Sequence, residues 1–193
     1  TMVRMVYIQR SRGYSLRPTL SVAEIKKIID IAHKYKDTMV MVDNCYGEFT
    51  DKCEPSDIGA DLIIGSLIKN VGGGIAPTGG YIAGKAELVE QCAYRMTAPG
   101  TGAELGATLG HTRELMMGFF NAPHLTGEAL KLAVYAAALF EKLGYDVSPG
   151  YNQKRGDIVQ TLVLGDAQRL IKFCRGIQRG MPIDSYLRPD PSP

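Results

Sequence analysis

Two short segments of the sequence carry polar side chains at close spacing. In VDNCYGEF, Tyr46 follows Asp43 by three residues, and in LIIGSLIKN, Lys69 follows Ser66 by three residues. A carboxylate can stabilise a protonated ring nitrogen, and a lysine whose pKa is lowered by burial can attack a carbonyl carbon as a neutral amine. The lysine therefore indicates attack on a carbonyl carbon, and the aspartate indicates stabilisation of a protonated ring nitrogen.

The candidate functional residues follow apolar runs that predict strands. The run TMVMVDN, which ends with Asp43, is nearly continuous in its apolar character, as expected of a strand buried on both faces of a parallel sheet. The run ADLIIGS predicts a second such strand, which ends at Ser66. In open parallel sheets, ligands bind outside the carboxyl ends of the strands. We therefore expect Asp43 and Lys69 to converge on one crevice.

The segment before these strands completes a strand–helix–strand unit. Residues 2–9 form an apolar run typical of a strand, and Ser21 with Glu24 makes a capping box that begins a helix. A short strand GGYIAG follows the glycine-rich loop after Lys69. The alternation predicts an α/β fold with a parallel-rich sheet between helices.

An aspartate and a lysine at neighbouring strand ends suit one kind of cofactor. A pyridine aldehyde can be carried by the lysine as a Schiff base, while the aspartate keeps the ring nitrogen protonated so that the ring acts as an electron sink. The glycines of VGGGIAPTGG do not form a phosphate-binding P-loop, because Gly79 is followed by Gly80 and Tyr81 where that loop needs lysine and a hydroxyl residue.

After Lys85 the sequence becomes predominantly helical. It predicts one helix in AELVEQCAYRM and two long amphipathic segments near ELGATLGHTRELMMGFF and GEALKLAVYAAALFEKLG, the second ending with Gly144 as a C-cap glycine. Alternating strands and helices then resume, with Asp166 at the start of a helix and PIDSYLRP beyond it. We divide the chain into residues 1–146, part of a large domain, and 147–193, the start of a small α/β domain.

Composition limits the classes of function. The 193 residues carry 22 basic and 20 acidic side chains without a basic patch, which argues against a nucleic-acid partner. No apolar run is long enough for a membrane helix, and there is no secretory signal, so we expect a cytoplasmic protein. Both ends read as internal, so we expect a portion of a longer chain. The four cysteines show no metal-site spacing and are expected to be reduced, with no metal bound.

The segments VDNCYGEF and IGADLIIGSLIKNVGGGIAPTGGYIAG resemble the cofactor-binding core of fold-type I pyridoxal-phosphate (PLP) enzymes, in particular the lyases of cysteine and methionine metabolism. With FCRGIQ further on, the chain looks most like the methionine gamma-lyase-like group named for aluminium resistance. The resemblance implies the large domain of a fold-type I enzyme, which eliminates a thiol from a small sulfur amino acid. It also implies a homodimer or homotetramer.

The resemblance further implies a role for each candidate residue. Lys69 corresponds to the lysine that carries PLP and acts as catalytic base, and Asp43 to the partner of the pyridine nitrogen. Tyr46 corresponds to a donor to the ring oxygen, and Ser66 to a phosphate contact. Ile68 stands where related lyases have a hydroxyl residue, so one phosphate contact is missing or replaced.

Other readings of the same residues remain open. Lys69 alone could be a solvated loop lysine, Asp43 a helix cap and Ser66 a turn hydroxyl. The aspartate and lysine also serve PLP-dependent transamination and aldol cleavage, and a non-catalytic protein could keep the scaffold. The loop after the first strand contains three arginines, for which we predict a solvated position: Arg10, Arg12 and Arg17.

Overall fold

The structure, a computed structural model, describes residues 3–106 and 108–190. Its main sheet has four strands in the order β1 (Met5–Gln9), β2 (Met39–Asp43), β3 (Leu62–Ser66) and β4 (Gly80–Gly84). The first three strands are parallel, and β4 is antiparallel to β3. The expected α/β class with a parallel-rich sheet is therefore confirmed.

Helix α1 (Val22–Ala32) connects β1 to β2 and covers one face of the sheet. The predicted capping box is present, because the Ser21 hydroxyl accepts from the Glu24 backbone N–H and the Glu24 carboxylate accepts from the Ser21 backbone N–H. The apolar stripe of α1 packs on the strands and forms the core, which consists of Ile8, Ile25, Ile29, Ala32, Val40, Val42, Ala60 and Ile63.

The opposite face of the sheet is less covered within the described chain. Strand β2 buries Val40 and Val42 on the α1 side, whereas Met39, Met41 and Asp43 are only half-buried. The expectation that this strand is buried on both faces is therefore wrong for the described residues. Tyr7 of β1, which lies on the open face, is 53% exposed. Asp43 and Tyr7 thus share the accessible side of the sheet.

Two further helices follow, α2 (Ala86–Met96) and α3 (Thr112–Lys142). The prediction of two separate helical segments in the α3 region is wrong, because α3 runs for 31 residues through Pro123. Ala122 and Thr126, on either side of the proline, are both buried, so tertiary packing outweighs the local cost of the proline. None of the helices in the described ranges has the length and apolarity needed to cross a bilayer.

The helix α3 ends as predicted, since Gly144 adopts a left-handed conformation with φ of 84° just beyond the last turn. A two-stranded antiparallel sheet follows, formed by β5 (Asp146–Ser148) and β6 (Thr161–Val163). Helix α4 (Ala167–Gly180) begins at Asp166, whose carboxylate accepts from the backbone N–H of Arg169 at 2.8 Å, as predicted. The segment 182–189 forms turns and irregular structure, so its predicted continuation of the alternating pattern is wrong.

Candidate active site

The carboxyl ends of β2 and β3 lie side by side at one edge of the sheet. Asp43 is the last residue of β2 and pairs with Ile64 of β3, and the Asn44 backbone N–H donates to the Ile64 carbonyl at 2.9 Å. Ser66 ends β3 two residues later, and Lys69 follows in the next turn. The register therefore places Asp43, Ser66 and Lys69 at the same edge, as the parallel arrangement requires.

The Asp43 carboxylate is held by neutral donors. Its Oδ2 accepts from the Tyr7 hydroxyl at 3.0 Å, and its Oδ1 accepts from the Cys45 backbone N–H at 3.1 Å. Burial and this carboxylate together raise the pKa of the Tyr7 phenol and raise that of the Cys45 thiol to about 11. Asp43 forms no ion pair with any lysine, arginine or histidine of the described chain. The carboxylate can therefore accept a cationic partner.

The amine of Lys69 contacts Tyr46. Its Nζ lies 4.3 Å from the centroid of the Tyr46 ring, a distance at which an ammonium is attracted to the ring face. The Tyr46 side chain raises the pKa of Lys69, and partial burial opposes this effect only in part. The expectation of a lowered lysine pKa is therefore wrong for the protein without cofactor, because the half-buried amine keeps much of its solvation.

The backbone of Tyr46 is itself unusual. Its φ of 69° lies in the left-handed region, which is uncommon for a residue other than glycine. Its carbonyl accepts from the backbone N–H of Ile158 at 3.2 Å, so the loop after β2 is tied to the C-terminal segment. Strained backbone of this kind often marks a functional position. The strain and this bond hold the aromatic ring beside the lysine.

The turn that follows Lys69 is packed tightly against α3. Residues Asn70–Gly72 form one 3-10 turn, and the buried Asn70 side chain donates to the Glu48 carbonyl at 3.0 Å. A Cβ atom added to Gly118 of α3 would lie 2.2 Å from the Gly72 carbonyl oxygen, and one added to Gly73 would lie 2.2 Å from the Gly118 carbonyl oxygen. Only glycine fits at this contact, so the turn that carries Lys69 is fixed by backbone packing.

An open cleft of about 290 Å³ adjoins the lysine. Lys69 and Tyr46 line one side, and Leu125, Thr126 and Ala129 of α3 line the other. The described structure thus brings Tyr46 and Lys69 into direct contact, with Asp43 on the neighbouring strand end. Neither Asp43 nor Ser66 is part of the cleft lining, so the expected convergence of Asp43 and Lys69 on one crevice is not seen at this cleft.

The Ser66 hydroxyl accepts from the backbone N–H of Ile68 at 3.4 Å, and the Ile68 side chain is exposed. A serine hydroxyl can donate while it accepts, so this contact leaves its proton available for an anion. Three functional groups lie at these strand ends: the partly exposed amine of Lys69, the carboxylate of Asp43, which has no cationic partner in the described chain, and the hydroxyl of Ser66. These groups fit the aldehyde, the ring nitrogen and the phosphate of PLP, respectively.

Sequence reasoning missed the buried arginine that braces this region. Arg10 is fully buried, and its Nη1 donates to the Asn44 side chain at 2.8 Å and to the Gly47 carbonyl at 2.9 Å. Arg12 is also buried, so the predicted solvated position is wrong for both residues. Only Arg17 is partly exposed, and it donates to the carbonyls of Gln9 and Ser11. The available signal was their crowding directly after the first predicted strand, at the carboxyl end where ligands bind in parallel sheets.

A second missed residue is Glu48, which lies next to the lysine-bearing turn. Its side chain is buried, and its Oε1 accepts from the Tyr81 hydroxyl at 2.8 Å, whereas its Oε2 has no hydrogen-bond partner within the described residues. Burial raises the pKa of this carboxyl to about 7. In the sequence, a glutamate in a loop after a strand does not indicate that its side chain is buried.

The fold and these strand ends define an α/β protein with an aspartate and a lysine at or just beyond the carboxyl ends of neighbouring parallel strands. The sequence profile of the family called Methionine gamma-lyase matches residues 1–193, and the chain belongs to this family. The family resemblance seen in the sequence is therefore confirmed.

Individual relatives agree with this assignment. An uncharacterised 33.9 kDa protein of Lactobacillus delbrueckii subsp. bulgaricus is 51% identical over 97% of this chain and 62% of its own length. The Bacillus subtilis protein YnbB is 46% identical over 98% of this chain and 45% of its own length. A crystal structure from Clostridium novyi NT, called a carbon-sulfur lyase involved in aluminium resistance, is 49% identical with a TM-score of 0.92. That comparison covers 98% of this chain and 45% of the solved one. The chain thus spans about half the length of such relatives.

Proposed function

We propose that the full-length protein is a fold-type I, PLP-dependent carbon-sulfur lyase that acts on a small sulfur amino acid. The observation that carries the proposal is the position of Asp43 at the end of β2 and of Lys69 in the turn after the neighbouring parallel strand β3, each without an ion-pair partner in the described chain. The family assignment and the name of the Clostridium novyi relative support the lyase class.

Each residue has a role that follows from its position. PLP, when bound, supplies an electron sink for the charge left on the α carbon of the substrate. Asp43 would hold the proton on the ring nitrogen, because its carboxylate lies at a strand end and has no ion-pair partner in the described chain. Lys69 would hold the cofactor through its amine, and as a free amine it would take the α proton of the substrate. Ser66 donates to the phosphate.

Tyr46 positions the lysine. Its ring lies 4.3 Å from Nζ and its backbone is fixed by Ile158, so it limits where the amine can reach. Its hydroxyl is a donor that can serve the ring oxygen of the cofactor. A released lysine in contact with this ring stays at the cleft, within reach of a substrate carbon.

The reaction class is tested by product analysis with the full-length protein. Incubation with cystathionine or methionine is expected to release a thiol, ammonia and a keto acid in equal amounts, and Lys69→Ala is expected to release none. Asp43→Asn should bind the cofactor and lose most of its activity, because a neutral amide no longer stabilises the ring cation. Amino transfer to an added keto acid without thiol release would instead assign a transaminase, and inertness towards all sulfur amino acids would assign a non-catalytic protein.

We also propose that the protein is a homo-oligomer. Large apolar side chains on α3 are exposed in the single chain, among them Met116, Phe119 and Phe120, the last of which is 85% exposed. Within the chain, this stretch is buried chiefly at Gly118, and Phe119 contacts Phe49. Sedimentation equilibrium of the full-length protein should give a dimer or tetramer mass, whereas a monomer mass would contradict the proposal.

A further inference from the structure

A small cleft lies between the loop that follows β1 and the segment that joins β5 to β6. Its volume is about 130 Å³, enough for a group of a few non-hydrogen atoms, since a water occupies about 30 Å³ of liquid. Three basic side chains line it, Arg12, Lys154 and Arg155, together with one carboxylate, Asp157. The cleft therefore has an excess of positive charge.

The Asp157 carboxylate does not neutralise this charge through a direct contact. It is buried, its Oδ2 accepts from the hydroxyls of Ser11 and Thr19, and its Oδ1 accepts from the backbone N–H of Val159 at 3.0 Å. It forms no ion pair with any arginine or lysine in residues 3–106 and 108–190. Its hydrogen-bonding capacity is used by neutral donors.

Arg12 is buried, and its hydrogen-bond partners among the described residues are all neutral. Its side chain is 5% exposed, and Nη1 donates to the carbonyl and the hydroxyl of Ser148 at 3.0 and 2.9 Å and, more weakly, to the Thr161 hydroxyl. Its Nε has no hydrogen-bond partner in the described structure. A buried guanidinium without a counterion is costly, because burial penalises the charged form.

Arg155 repeats this situation on the other side of the cleft. Its Nη2 donates to the Gln160 side chain at 2.6 Å, while its Nε and Nη1 are buried without partners among the described residues. Burial lowers the pKa of Arg155, the Asp157 carboxylate raises it, and the positive charge of Arg12 lowers it further. Two guanidinium groups thus line one small space in which Asp157 is the one lining carboxylate.

Lys154 differs from the two arginines. It is 76% exposed and pairs with Asp51 at 3.4 Å, so its charge is both solvated and compensated. Within the described residues, the excess positive charge of the cleft comes from Arg12 and Arg155 and is offset in part by Asp157.

We propose that this cleft binds a small free oxyanion, a carboxylate or a phosphate, between Arg12 and Arg155. Guanidinium groups match the planar or tetrahedral oxygens of such anions and donate two hydrogen bonds at once. The bound anion supplies the missing negative charge and links the loop after β1 to the segment before β6. Binding of this kind does not depend on the proposed lyase activity, so either proposal can fail without the other.

The test is a titration of the full-length protein with sodium phosphate and with sodium acetate, each at an ionic strength held constant with sodium chloride. The melting temperature is expected to rise and saturate with one of the two anions, and calorimetry should give one site per chain. A stronger effect of phosphate identifies a phosphate site, and a stronger effect of acetate identifies a carboxylate site. The absence of a saturable effect beyond that of chloride would overturn the proposal.

Matched variants locate the site. Arg155→Gln should weaken anion binding by about tenfold or more, because it removes the free guanidinium donors, whereas Lys154→Gln should leave binding within about twofold. Circular dichroism checks that both variants fold. If Arg155→Gln does not fold, the titration of the unaltered protein alone tests whether an anion binds. An unchanged affinity in folded Arg155→Gln would also overturn the proposal.

Discussion

The Nζ atom of Lys69 lies 4.3 Å from the centroid of the Tyr46 ring, so the candidate catalytic amine rests on an aromatic face at the edge of the sheet. The contact stabilises the ammonium form and keeps the long side chain at the cleft. It joins the loop after β2 to the turn after β3. The geometry of the site therefore depends on this pair as well as on Asp43.

Replacing Tyr46 by leucine should lower the pKa of Lys69 in the cofactor-free protein, because both the ring and the hydroxyl that raise it are lost. A raised lysine pKa stabilises the fold below the ordinary lysine pKa, and this contribution is lost as pH rises through the folded value. At pH 9, Lys69 should react faster with acetic anhydride in Tyr46→Leu, as measured by mass spectrometry of its peptide. Tyr46→Phe, which keeps the ring, should show a smaller change.

Exposed Lys36 serves as the internal reference for this experiment, since it lies far along the chain from the site. Its labelling rate should be the same in all three proteins. Equal relative rates for Lys69 in the unaltered protein and in Tyr46→Leu would show that the ring does not control the amine.

Substitution of Gly118 by alanine should destabilise the protein by about 2 kcal/mol or more, because the new methyl group would meet the Gly72 carbonyl oxygen and overpack the contact. Gly127, on the same helix, has open space around it, so Gly127→Ala should stabilise by about 0.5–1 kcal/mol through helix propensity alone. Urea unfolding measures both values. Similar effects of the two substitutions would mean that α3 does not pack on the lysine-bearing turn as described.

Replacing Glu48 by glutamine should remove a pH dependence of stability. Burial raises the pKa of Glu48 from 4.5 to about 7, so the folded state keeps a proton that the unfolded chain loses. The contribution of Glu48 to the free energy of unfolding is fully present below pH 4.5 and declines as the pH rises towards 7. Above pH 7 the whole contribution, about 3 kcal/mol, is lost. Glu48→Gln has no proton to lose and should be spared this decline.

The measurement is the free energy of unfolding of both proteins at several pH values from 5 to 8. As pH rises, the free energy of unfolding of Glu48→Gln should increase relative to that of the unaltered protein. A constant difference across this range would contradict a protonated, buried Glu48. Substitution of an exposed acidic residue, such as Glu90→Gln, should leave the pH profile parallel to that of the unaltered protein.

The Cys45 thiol should react slowly with iodoacetamide at neutral pH. Burial and the nearby Asp43 carboxylate raise its pKa from 9.0 to about 11, which reduces the thiolate fraction about a hundredfold. In cofactor-free protein, mass spectrometry should therefore show alkylation of exposed Cys174 long before that of Cys45. Comparable rates would show that Cys45 is not in this environment.

Local patterns predicted much of this structure because the determinants were local. The capping box of Ser21 and Glu24, the C-cap glycine Gly144 and the N-cap Asp166 all depend on residues a few positions apart, and all were found. The positions of Asp43 and Ser66 at the ends of two neighbouring parallel strands followed from the pattern of apolar runs. Periodicity and turn chemistry were sufficient for these features.

Features that depend on distant packing were not predictable in the same way. The continuity of α3 through Pro123 reflects burial of its flanking residues, which no local pattern reports. The burial of Arg10 depends on acceptors more than thirty residues away, Asn44 and Gly47. The raised pKa of Lys69 arises chiefly from a hydrogen bond with the Tyr46 side chain. Each needs tertiary geometry, which the spacing of residue types does not contain.

The central claim is that Lys69 carries the cofactor, and its most direct test is chemical. The full-length protein is treated with sodium borohydride, which fixes a lysine-bound pyridoxal group permanently, and its peptides are mapped by mass spectrometry. We predict that the visible absorption of the protein changes on reduction and that the pyridoxyl group is found on the peptide containing Lys69. A pyridoxyl group on another lysine, or none on any peptide, would contradict the account.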